Sequence, residues 1–164
     1  MGMMDEIGVP GDAPARRGGE TVAMLDALPP TQILSILLLR DWCEGPEGRT
    51  RIAVLLEEGL GASPGRKAAG DWDAFMRMLT ERGRRPLMRH ATTCRCVGAD
   101  EAVIANLLDL AASGEREDAM LVASLLVPGD RLLYLMALAE AVGVALRRTD
   151  LRLRRARGPA RTLH

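Results

Sequence analysis

Between Ala119 and Leu146 the chain carries only three charged residues, Asp130, Arg131 and Glu140, and Pro128 and Gly129 break the stretch near its middle. Two helical segments that are apolar on nearly every side must lie at the centre of a fold or be covered by a partner. A central helical hairpin wrapped by other helices and a homodimer face both satisfy that requirement. The rest of the core must come from aliphatic residues, because Trp42, Trp72, Phe75 and Tyr134 are the only aromatics although 48% of the chain is apolar. A core of Leu, Ala, Val and Met is helix-bundle composition. At 164 residues one domain suffices, and a chain of that size buries roughly two thirds of its unfolded surface without needing disulfides.

Glycine and proline punctuation divides the sequence further. Residues 1–20 combine Gly, Pro and charge without periodicity and read as a flexible arm, residues 21–148 as the helical domain, and residues 149–164 as a basic tail. Thr21 to Leu28 reads as a helical turn stopped by Pro29 and Pro30, after which Thr31 caps an apolar helix to about Cys43. Gly45 and Pro46 open a second helix with Ile52, Leu55 and Leu56 on one face. Ser63 and Pro64 open a third, with Trp72, Phe75, Met76 and Leu79 at core spacing and Gly83 at its end. Val103, Ile104, Leu107, Leu108 and Ala111 form a fourth stripe ending at Gly114. Glu115, Glu117 and Asp118 favour the start of a fifth helix, and Asp130 begins a sixth that runs to about Arg148. The expected fold is all-α: a compact bundle of about six helices with no sheet.

Charge is distributed unevenly. Arg82, Arg84, Arg85, Arg89 and Arg95 share an acid-free window, and Arg147, Arg148, Arg152, Arg154, Arg155, Arg157 and Arg161 face a single Asp150. The body is therefore acidic with two basic patches, which could attract an acidic protein or a nucleic-acid phosphate backbone. No aromatic platform accompanies either patch, which weighs against single-stranded nucleic acid. The longest uncharged apolar stretches, Ile33 to Leu39 and Ala119 to Val127, are far shorter than the ~20 residues of a membrane span. With an acidic N-terminal stretch and no secretory h-region, the expected location is cytoplasmic, where three cysteines remain reduced.

Arg84 to Gly98 lacks any periodicity, and connections of that length in compact domains are usually functional or held by something. It contains the chemical stretch of the chain, HATTCRCVGADEA, with His90, Cys94 and Cys96 in seven residues. If the fold brings Cys43 to this loop, three thiolates and an imidazole make a structural zinc donor set, and the nearby arginines would offset its anionic charge. Two other readings stay open: packed thiols, since free cysteine is often buried, and a nucleophilic or redox thiol with His90 as base and Arg89 and Arg95 lowering its pKa. Asp100 and Glu101 sit where a helix start favours negative charge.

The segments GRRPLMRH, CRCVGADEA and GEREDAMLVASLLV resemble a group of short alphaproteobacterial helical proteins with an Arg-rich loop, a Cys-x-Cys pair and alanine-rich helices, over roughly residues 30 to 148. The resemblance implies an intracellular helical protein and carries no activity with it. The expected function is a non-catalytic, homo-oligomeric interaction or regulatory module. The alternatives are a small thiol- or metal-dependent enzyme centred on the loop and an Arg-tailed nucleic-acid binder.

Overall fold

The computed structural model describes residues 18–158. Six helices form the body: α1 (Pro30–Cys43), α2 (Pro46–Leu60), α3 (Ala62–Arg82), α4 (Ala99–Ser113), α5 (Arg116–Leu126) and α6 (Gly129–Arg157). Most of the proposed arm and the last six residues of the basic tail lie outside the described residues. The fold is mostly all-α, as the punctuation predicts. Among the described residues no helix is long and apolar enough to cross a membrane.

The expectation of no sheet is corrected. Strand β1 (Thr21–Met24) pairs antiparallel with β2 (Cys96–Gly98), matching Thr21 to Gly98, Ala23 to Val97 and Met24 to Cys96. Thr21 to Leu28 is thus a short strand followed by a single 3-10 turn at Leu25–Ala27, not a helical turn from its start. A three-residue strand is too short to show alternation, and its partner lies some seventy residues away in sequence, so pattern reading has nothing to register.

α6 packs against all five other helices, burying Leu135, Met136, Leu138, Ala139, Val142 and Leu146. The apolar hairpin is therefore central, yet Leu121, Leu125, Leu133 and Tyr134 remain exposed on its outer side. Trp72, Phe75, Met76 and Leu79 of α3 are all buried, as their helical spacing requires, and the Trp72 and Phe75 rings are tilted with centroids 6.0 Å apart.

α6 continues nine residues beyond Arg148, to Arg157. Its extension is packed: Thr149 is fully buried, and a Cβ placed on Gly59 of α2 would lie 2.6 Å from Thr149 Cγ2. Four residues on, Leu153 lines a surface cleft together with Ile33, Leu34 and Leu37 of α1. Truncation after Leu153 should leave the melting temperature within about a degree or two, because exposed terminal turns add little. Truncation after Arg148 removes the Thr149 contact and should lower it by roughly 3–6 °C in a thermal melt.

On α3, Asp73 accepts hydrogen bonds from Trp42 Nε1 and Arg77 Nε, each 2.8 Å, and the Arg49 guanidinium stacks 4.7 Å over the Trp42 ring. Burial works to raise the Asp73 pKa, but the bonds from Arg77 and Trp42 prevail and hold it below the usual carboxylate range. A depressed carboxyl contributes stability that is present above its unfolded pKa, about 3.9, and is lost as pH falls through its lower folded value. Asp73→Asn should therefore destabilise by a constant amount above about pH 5, with the difference from wild type vanishing at more acid pH, as read from denaturation midpoints.

Candidate metal centre

The connection between α3 and α4 is laced to the body by arginines. Its start is tied to the end of α5, where Arg84 N donates to Leu126 O at 2.8 Å and Arg84 Nε to Ser124 O at 2.9 Å. These carbonyls have no partner within their own helix. Both Arg85 NH groups meet the buried Asp100 carboxylate, which also accepts Met88 N–H at 2.8 Å. Arg89 pairs with Glu44, and Arg95 with Asp26. The loop arginines read from sequence as a basic patch are thus largely taken up by carboxylates of the same chain.

The central tie is one that sequence reading missed. Arg40 of α1 is fully buried, and its guanidinium makes four hydrogen bonds. Two form a fork on Glu101, Nε to Oε1 at 2.7 Å and Nη2 to Oε2 at 2.8 Å. The others reach the Cys94 and Cys96 carbonyls at 2.6 and 2.7 Å. Glu101, also fully buried, accepts His90 N–H at 3.2 Å and Gly98 N–H at 2.9 Å. Burial favours a protonated Glu101, but Arg40 and these amides outweigh it and hold the carboxyl below its ordinary value. One ion pair therefore fixes the backbone on which His90, Cys94 and Cys96 stand. The negative residues expected merely to suit a helix start do more than that. The available signal was Arg40 itself, the first charge after Asp26, four residues after the buried Ile36 on the inward face of an apolar helix.

His90, Cys94 and Cys96 are half-buried, and one ligand atom from each lies within 4.8 Å of the others. His90 Nε2 is 3.0 Å from the Gly19 carbonyl, which can only accept, so Nε2 carries a proton and Nδ1 faces Cys94 Sγ at 3.6 Å. The ring lies close over Gly98, where an added Cβ would stand 3.0 Å from His90 Cδ2. Cys94 Sγ also accepts the Cys96 amide at 3.4 Å. The hydrogen bond from the Cys96 thiol, then that amide and His90, lower the Cys94 pKa to about 7, while the Cys96 thiol is pushed up by the same contact.

The structure does not bring Cys43 to this group. It lies at the end of α1 beside Arg89, apart from the three, whereas Arg40, one turn earlier on that helix, is bonded to the Cys94 and Cys96 carbonyls. The donor set is accordingly two sulfurs and one imidazole, not three and one. Neither Asp100 nor Glu101 is free to complete it, because each is held by an arginine and by backbone amides. Among the described residues these three donors could hold a thiophilic ion. No family model, curated protein or solved structure matches the chain.

Proposed function

We propose that this protein is a non-catalytic helical regulatory module whose loop state is set by one zinc-class ion held by His90, Cys94 and Cys96. The observation that carries this reading is the 3.6 Å between His90 Nδ1 and Cys94 Sγ. Zinc bonds of about 2.3 Å to sulfur and 2.0 Å to nitrogen at a tetrahedral angle call for roughly 3.5 Å between those atoms. Three features support it: the Nε2–H bond to a backbone carbonyl is the outer-shell partner that metal-ligating histidines use, the Cys96 amide suits a Cys94 thiolate, and two thiolates neutralise a divalent ion. Among the described residues, the nearby carboxylates of Glu101 and Asp100 are already paired with arginine and are not placed to act as a carboxylate base for hydrolysis.

Cobalt(II) titration of the reduced protein tests the proposal. One equivalent should develop thiolate-to-cobalt absorption with the intense visible bands of four-coordination. Cys94→Ser and Cys96→Ser should each weaken the thiolate absorption, and Cys43→Ser should leave it unchanged. A titration with no saturation near one equivalent would overturn the assignment. A thiol-dependent enzyme with His90 as base is the second reading, favoured by the same Nδ1 to Sγ approach. Alkylation separates the two: on the metal reading, zinc protects Cys94 from iodoacetamide.

A further inference from the structure

We infer that α6 pairs antiparallel with α6 of a second copy of this chain, about a two-fold axis passing beside Val144. The outward side of α6 presents Leu133, Ala137, Glu140, Val144, Arg148, Leu151 and Arg155, all exposed. Their spacing averages close to 3.7 residues, so the stripe stays on one face of a straight helix for about 33 Å. It is also symmetric: positions lie at equal intervals on either side of Val144. An antiparallel copy centred there sets Val144 on its own equivalent, Ala137 against Leu151 and Glu140 against Arg148, each pair formed twice as an isologous interface demands. A small residue meets a large one, and opposite charges meet. At the ends, the Arg155 stem covers Leu133, which is 67% exposed in the single chain.

The internal ion pairs favour this occupant. On the same helix, Arg147 pairs with Asp109 and Arg154 with Asp150, and both lie off the stripe. Among the described residues, Glu140, Arg148 and Arg155 on the stripe take no opposite charge. Grooves of about 460 and 470 Å³ run along its two sides, one walled by Leu60 and Lys67, the other by Gly114 and Arg116. These are the clefts that side chains of an apposed helix would enter. The pairing does not depend on the metal proposal, and a Cys94→Ser/Cys96→Ser variant should retain it.

The test is a charge exchange read by sedimentation equilibrium on the full chain. Wild type should be a dimer at micromolar concentration. Glu140→Arg and Arg148→Glu should each weaken self-association at least about tenfold, since each creates two like-charge contacts. Mixing the two variants should restore a dimer, because both contacts are then complementary. Both positions are exposed, and unchanged thermal melts of the variants would show that the fold is kept. Val144→Cys should form an interchain disulfide on air oxidation, at a level well above the wild-type background from the native cysteines. A wild-type monomer from about 1 to 100 µM, or failure of the mixture to associate more tightly than either variant alone, would overturn the inference.

Discussion

Arg40→Met is expected to destabilise the protein by about 3–5 kcal/mol, enough to unfold many domains of this size, because it strands a buried carboxylate rather than merely losing an attraction. In wild type the guanidinium and Glu101 are both fully buried and joined by two hydrogen bonds. Removing one partner leaves Glu101 with only the His90 and Gly98 amides and leaves the Cys94 and Cys96 carbonyls without their donor. The double variant Arg40→Met/Glu101→Leu should recover part of the loss, since no charge is then left buried. Urea midpoints of the single and double variants measure the difference. If Arg40→Met alone melts within about a degree or two of wild type, the ion pair is not what holds the loop.

The second large effect concerns the metal. Loading zinc should raise the melting temperature and protect amides around His90 to Val97 from hydrogen exchange, because any ligand bound by the native state and not by the unfolded chain adds its binding free energy to stability. An ion present at about a hundred times its dissociation constant contributes roughly 2.7 kcal/mol. Protection should concentrate on the loop and on β1, which pairs with the Cys96 to Gly98 strand. The helical core formed by α3 and α6 should exchange only through global opening, with rates that follow the overall stability. Binding should also release protons, chiefly from Cys96, whose thiol is pushed up by its contact with Cys94. Affinity should consequently rise with pH through the neutral range.

Most of the helical architecture is legible from the chain because its boundaries are chemical. Gly45, at positive φ, and Pro46 open α2 and Gly114 closes α4 in the left-handed region, whereas α1 and α3 begin at Pro30 and Ala62, one residue ahead of the Thr31 and Ser63 read as their caps. The inward stripe of α3 can be read from its 3.6-residue period alone. The site is legible only in part. His90, Cys94 and Cys96 are close in sequence, so local proximity brings them forward. Cys43 is fifty residues away, and only the facing of α1 decides whether it joins them. The small sheet and the Arg40 to Glu101 pair are hidden for a related reason: each is a pairing between distant segments with no periodic signature. A single arginine at the inward end of Ile36 to Leu39 was the one mark they left in the sequence. The length of the 84–98 connection is explained by its arginine ties to Asp100, Glu44 and Asp26 and by Arg40, so the metal is not required to account for the loop's existence.

What the metal account requires is a specific donor set, and elemental analysis addresses it most directly. Protein purified without chelators or a metal-affinity tag should contain about one equivalent of zinc per chain, and Cys43→Ser should contain the same. Cys96→Ser and His90→Ala should fall well below that level while remaining folded through the Arg40 tie. Wild-type protein free of metal and unable to take up zinc on dialysis would contradict the account, as would a Cys43→Ser variant that loses its ion.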